Sequence, residues 1–342
     1  MIGLQMIRTW VNLGSMTLFT LRTPADILAV RFAYSPVWET RAAVRTFAQG
    51  RTHSYHEPWL RLVRDRGALL ALSDLLALEP GHGYAPDFLT PPPSNPSPRL
   101  EGELAEIRAT PPHQVRHELG RYLDTVRDET DRRLVGSWLA DPAPARDLLA
   151  TRLHEAWLEL VAPFWTRVRV LLERDIGQRA RTLARHGLRR VFDQLDTRVR
   201  WTTRGISCRD SSGRTLEVDE RGLVLMPTAY GWPGIAIIAD EPWLPTIVYP
   251  ARGIGDLWRA STPPPDALAR LLGRTRARVL TSLNQPLSTT TLATLLETSP
   301  AGASRHLLAL RDAGLVIGTR HGHEVRYGRT ELGSSLLKRC SA

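Results

Sequence analysis

Cysteine is scarce: Cys208 and Cys340 are the only two in 342 residues. So few, so far apart, support neither a disulfide framework nor a thiolate metal site, and they point to an intracellular, cytoplasmic chain. No run of eighteen apolar residues occurs, so no segment reads as a membrane span. The opening MIGLQMIRTWVNLGSMTLFTL lacks a signal-peptide pattern, and a start at Met16 would make residues 1–15 an upstream extension. Catalytic signatures are missing too. His154-Glu155 is not followed by the second histidine of a helical zinc-protease motif, and no GKS or GKT follows Gly231, Gly234, Gly253 or Gly255. Ser207, Ser211 and Ser212 have no triad spacing to Asp210 and His186, and Asp210, Glu217, Asp219 and Glu220 sit where turns between strands are ordinarily acidic. The expectation is a protein that is not an enzyme and needs no cofactor and no metal.

Lysine is nearly absent. Of 45 basic residues 44 are arginine, Lys338 being the exception, against 35 acidic ones, for a net charge of +10. Such a skew reflects genomic base composition as much as a binding surface, so location matters more than the total. Residues 264–342 hold 11 Arg or Lys against 5 Asp or Glu, more than half of the surplus in under a quarter of the chain. That placement favours a polyanionic partner for the C-terminal segment.

Residues 16–198 read as a mostly helical region. After a short strand Thr17–Leu21, Thr23, Pro24 and Asp26 fit N-cap, N1 and N3 of a helix towards Val30, and Ser35-Pro36 repeats the signal for a helix ending near Gly50. Residues 58–79 carry Leu60, Leu62, Val63, Leu69, Leu70, Leu72, Leu75 and Leu76 as core candidates. PPPSNPSP at 91–98 cannot continue a helix and has almost nothing to bury, so it reads as a loop or internal linker. Helical patterning resumes over 112–138, with Val115, Leu119, Tyr122, Leu123 and Val126 on one stripe. It continues after DPAP with Leu149, Leu153 and Trp157, is interrupted at Pro163, and ends in a shorter helix after Gly187. The period then shifts towards two. VRWTTRGISC, RTLEV, RGLVLMPTAY and LPTIVYPARG predict one small antiparallel sheet over about 199–250, within a β-rich subdomain at 199–260 or a continuation of the preceding domain. STPPP at 261–265 marks the boundary before a final domain at 264–342. The fold class is mainly α with small β elements.

In that last domain, Asp266–Leu272 and Arg274–Leu283 predict two helices. Ser288 caps a third, TTTLATLLE, with Leu292, Leu295 and Leu296 inward. Thr298 or Ser299 caps a fourth with Pro300 at N1. Its Ala303, Leu307 and Leu310 face inward, and Gly314 supplies the stop. Ala301, Ser304, Arg305 and Leu308 are left outward: small at the start and basic in the middle, as a helix entering a major groove requires. Leu315–Arg320 and Glu324–Arg329 flank His321-Gly322-His323 as a two-stranded wing. Arg320, His321, His323 and Arg326 gather at its tip or flanks within reach of phosphates or the minor groove. TELGSSLLKR closes the chain as a helix.

Residues 267–337 resemble the ArsR-type winged-helix family of bacterial transcriptional repressors, most recognisably in SRHLLALRDAGLV. GRTRARVLTSL, TTTLATLLETSPAGASRHLLALRDAGLV and TRHGHEVRYGRTELG stand in that family's order and spacing. The resemblance implies a homodimeric regulator that reads an inverted repeat in double-stranded DNA near a promoter. The helix from Pro300 would be its recognition helix and residues 319–327 its wing. The cysteine pair and terminal-helix ligands of the metal-sensing branch are absent from TTTLATLLE and ELGSSLLKRCSA, which sets metal sensing aside. Candidate DNA contacts are Ser288, Thr289, Ser299, Ala301, Ser304, Arg305, His306, Arg320, His321, His323 and Arg326. His306 also fits a half-buried packing role. A winged-helix protein-interaction or scaffold module without sequence-specific DNA binding is the alternative.

Residues 221–253 concentrate aromatics, prolines and glycines. Tyr230, Trp232, Trp243 and Tyr249 are candidates for an effector pocket, or for a buried seam or dimer contact, and Trp157 and Trp165 pose the same choice on a helix. A small-molecule effector is the partner that a pocket there would take.

Overall fold

The computed structural model describes residues 15–340 apart from 22, 50–53, 66–71, 80–83, 211–212, 219, 232, 259–263, 284–285, 297 and 322–323. The chain forms two compact units, Met1–Ile254 and Gly255–Ala342, and is mainly α with small β elements.

In the first unit, strand β1 (Ser15–Leu21) leads into the Pro24–Leu28 helix. The Thr23 hydroxyl accepts from the Asp26 amide at 3.2 Å, and the Asp26 carboxylate accepts from the Thr23 amide at 2.9 Å. The cap is the expected one, though the helix stops at Leu28, short of Val30. Strand β2 (Arg31–Phe32) follows, and the Ser35 hydroxyl accepts from Trp38 N–H at 2.9 Å to start the Pro36–Gln49 helix. Residues 58–79 yield helices Glu57–Asp65 and Ser73–Leu76. Leu60, Val63 and Leu75 are buried as expected, whereas Leu62 is 49% exposed; Leu69 and Leu70 lie outside the described residues.

Residues 91–98 form a loop inside this unit and no linker between units. Pro91, Pro92 and Pro93 are buried, against the expectation that the segment has little to bury. An unforeseen helix, Leu100–Ala109, starts directly after it and buries Leu100, Leu104 and Ile107. The stripe over 112–138 is two helices, Pro112–Leu123 and Glu129–Ala140, with Val126 in the break between them. The helix Pro142–Ala156 gives way to a π turn, Trp157–Val161, and a 3-10 turn, Ala162–Phe164, before Trp165–Asp193 begins. Pro163 brings no N–H to the ladder, and the chain adopts irregular turns there. The Leu160 carbonyl in the π turn accepts from the Trp59 indole at 2.9 Å.

The expected single antiparallel sheet is instead two mixed sheets, each taking in a strand from the N-terminal segment, β1 as an inner strand and β2 as an edge. With β3 (Val199–Thr202), β4 (Gly205–Asp210) and β5 (Thr215–Val218), the first has the order β3-β4-β1-β5, β1 running antiparallel to β4 and parallel to β5. With β6 (Val224–Thr228), β7 (Ala236–Ile238) and β8 (Thr246–Pro250), the second has the order β2-β6-β8-β7, parallel except at β7. Strand β6 is buried at all five positions, the condition under which parallel pairing is favoured, and the apolar run LVLMP at 223–227 is the sequence trace of that burial. One core joins the sheets: Phe19, Ile206, Leu225, Ile247 and Tyr249 pack with Val191 and Phe192 of the long helix.

The second unit places helices Asp266–Leu272 and Arg274–Ser282 ahead of a two-residue strand β9 (Leu287–Ser288). Helices Thr289–Leu295 and Pro300–Asp312 follow, then β10 (Val316–His321), β11 (Glu324–Arg329) and the helix Glu331–Cys340. The sheet order β10-β11-β9 adds a third strand that the sequence reading did not contain. Leu268, Val279, Leu280, Leu292, Leu307 and Leu310 form its buried interior.

Candidate nucleic-acid interface

The site is built on the Pro300–Asp312 helix. Ser299 is extended, its hydroxyl accepts from the Gly302 amide at 3.1 Å, and Pro300 occupies the first turn. At the other end Leu315 N–H bonds to Leu310 C=O at 2.9 Å and Gly314 N–H to Arg311 C=O at 2.8 Å, with Gly314 at φ 70. This pair of bonds closes the helix in the left-handed C-terminal motif that glycine accommodates best. A tight turn, with Thr298 N–H bonded to Ala293 C=O at 2.9 Å, ties it to the Thr289–Leu295 helix.

Ala303, Leu307 and Leu310 are buried, so the helix has a fixed rotation. Ala301, Arg305 and Leu308 face solvent, while Ser304 and His306 are half-buried. Among the described residues no hydrogen bond or ion pair engages the Arg305 guanidinium. Arg311, exposed one heptad beyond Ser304 and paired with Asp312 at 3.1 Å, belongs to the same outward side and was missed in the sequence; its i, i+7 step is the signal. The first turn adds amide N–H groups and the positive end of the helix dipole, both suited to an anion.

Ser288 does not join this surface. It is buried in β9, its hydroxyl accepts from Thr291 N–H at 3.2 Å, and it lies 3.0 Å from the Thr291 hydroxyl. The capping role it was also given is the one it performs. Thr289 is half-buried at the helix start.

The wing is an antiparallel ribbon in which Thr319 pairs with Arg326 and Arg320 with Val325. Successive strand residues point to opposite faces, so Arg320 and Arg326 lie on opposite sides of the ribbon and do not form one cluster. Arg326 shares its side with Glu324, which accepts from Arg326 Nε at 3.3 Å. Arg320 is exposed. His321 ends β10, and His323 lies outside the described residues. At the ribbon's base Arg329 Nε donates to Leu283 C=O at 2.9 Å, and burial holds this guanidinium below its usual pKa.

Of the aromatics expected at an effector pocket or interface, Tyr230 and Tyr249 are buried in the first unit, and Trp157, Trp165 and Trp243 are half-buried. Tyr230 is 1% exposed, stacked on His56 at 5.3 Å and tilted against Trp59 at 4.8 Å. Tyr249 is fully buried between the sheets beneath the Arg179 guanidinium, 4.4 Å from the ring centroid. Trp243 is half-buried, and its indole donates to Glu118 at 2.7 Å. Trp157 meets Trp165 edge-on at 5.0 Å, and Tyr34 meets Trp165 at 5.8 Å. Trp232 lies outside the described residues. Among the described residues no group of three or more His, Cys, Asp or Glu is placed to hold a metal, and no helix is long and apolar enough to cross a membrane.

Residues 271–319 match a family described as a helix-turn-helix domain, and residues 113–255 match a family of unknown function (DUF5937). No curated protein and no solved structure gives a significant match. The first match covers the two helices of the interface and β10 as far as Thr319; the second ends where the first compact unit ends. The chain thus carries a C-terminal helix-turn-helix domain of the ArsR type, the mark of a DNA-binding transcription regulator, behind a domain of a family whose function is unknown.

Proposed function

We propose that the protein is a homodimeric transcriptional repressor that reads an inverted repeat in double-stranded DNA through the Pro300–Asp312 helix. The observation that carries this reading is the outward row of that helix. Small residues at its start permit close approach to a groove, and the exposed Arg305 reaches base edges or phosphate. Two copies related by a two-fold axis read half-sites one or more helical turns apart, about 34 Å per turn. Ser299, Ala301, Ser304 and Arg305 meet the major groove, with His306 beside them. The wing, through Arg320, His321, His323 or Arg326, supplies backbone contacts. Binding is the whole activity, and no chemistry is assigned to the chain.

The test is selection of bound genomic fragments by the full-length protein at about 0.15 M salt, alongside Arg305→Ala. Enrichment of one inverted repeat, weakened by about 1–3 kcal/mol in the variant, is expected. Sequence-blind recovery by both proteins would remove the reading and direct attention to a protein partner.

A further inference from the structure

The long helix of the first unit carries a second basic surface. Between Gly177 and Phe192 the chain has five arginines and no carboxylate. Arg179 is the buried one. Its Nε meets Asp175 at 2.7 Å, with side-chain exposures of 2% and 0%, and its Nη1 donates to Gln194 C=O at 3.0 Å. Fifteen residues of straight helix would separate positions 179 and 194 by about 22 Å, so this bond requires the chain to double back. It does so at Gly187, whose φ of 75 and ψ of 172 are non-helical. On the return arm Val191 and Phe192 are buried in the sheet core, and Leu188 packs partly against it.

Above this anchored base stands a hairpin tip. Arg181, Arg185, His186, Arg189 and Arg190 are all exposed, and so are Ala180, Leu183, Ala184 and Gly187. Among the described residues these four arginines make a single ion pair, Arg189 to Asp193, at 4.0 Å with Arg189 76% exposed. Three guanidiniums without an ion pair among the described residues, and a fourth loosely paired, raise a local positive potential on this projection. The apolar content of the tip is small: Leu183 is 39% exposed and Leu188 half-buried. A membrane-surface helix needs an apolar face to insert, so the tip fits a phosphate backbone better than a bilayer.

We infer that the Arg181–Arg190 tip is a second DNA-contacting surface that grips the duplex backbone without reading sequence. The inference rests on the DNA-binding reading of the C-terminal unit and adds to it phosphate contacts from the domain of unknown function. Arg181 and Arg185, one helical step of about 6 Å apart, lead the contact, with Arg190 from the return arm.

The experiment titrates full-length protein with an operator duplex and a random duplex between about 0.05 and 0.2 M salt. It compares wild type, Arg305→Ala, the triple variant Arg181→Ser/Arg185→Ser/Arg190→Ser, and the same three positions as lysine. The serine variant is expected to lower the slope of log K against log salt by about two to three, equally on both duplexes, while keeping the preference for operator; lysine restores the slope. Arg305→Ala should do the reverse, losing preference and keeping most of the slope. A serine variant with wild-type slope on both duplexes overturns the inference, as does a lysine variant as defective as serine, which would make the effect structural. Sedimentation with phosphatidylserine vesicles, lost in the serine variant while its DNA slope is unchanged, would assign the tip to a membrane instead. If Arg305→Ala has no effect while the serine variant does, the tip binds DNA and the helix-turn-helix reading fails alone.

Discussion

The Tyr230 amide donates to the Glu39 carboxylate at 3.0 Å across 191 positions of sequence. The Ala229 amide donates to both oxygens of the same carboxylate, at 2.9 and 3.1 Å, so Glu39 of the Pro36–Gln49 helix holds the turn that follows β6. Burial pushes this carboxyl up from 4.5 to about 7, against the backbone hydrogen bonds, which favour its ionised form.

A carboxyl whose folded pKa lies above its unfolded pKa binds more protons when folded, so its contribution is present in full below about pH 4.5 and is lost as pH rises to about 7. For Glu39 the loss amounts to roughly 3 kcal/mol. Unfolding by urea across this range should show wild type weakening with pH relative to Glu39→Gln, which cannot titrate. Parallel curves for the two proteins would place the titration elsewhere.

Opposite faces of the wing separate Arg320 and Arg326. A duplex that meets one face of the ribbon engages only one of them, so one of Arg320→Ala and Arg326→Ala should lower the slope of log K against log salt by about 0.9, one phosphate contact, and the other should leave it nearly unchanged. Equal slopes for both variants would show that the ribbon does not present a single face to the backbone.

The terminal helix depends on a close approach. A Cβ on the buried Gly333 would lie 2.2 Å from the Leu315 carbonyl oxygen, so Gly333→Ala should destabilise the C-terminal unit by about 1–3 kcal/mol or more. Gly136, also in a helix, has nothing within 4 Å of an added Cβ, and Gly136→Ala should be neutral or stabilising by up to about 1 kcal/mol. Thermal unfolding of the two variants measures the contrast, and similar midpoints would contradict it.

What the sequence determined by itself was local. Thr23, Ser35 and Ser299 are caps because a short hydroxyl before a proline leaves the first amides one nearby acceptor, and Gly314 ends its helix because few other residues accept φ 70. The winged-helix order of the last unit was legible for the same reason: its helices, turn and ribbon follow one another in the chain, and the rotation of Pro300–Asp312 follows from Ala303, Leu307 and Leu310. Tertiary structure decided whatever joins distant segments. It inserted β1 and β2 into sheets formed by residues 199–250, which no local period can announce because both strands are short and their partners lie almost 200 residues away. It put Arg320 and Arg326 on opposite faces through a pairing register that composition does not reveal. It also folded the arginine-rich stretch on either side of Gly187 back on itself, because the bond from Arg179 to Gln194 and the burial of Val191 and Phe192 anchor both arms and leave Leu183–Gly187 in solvent.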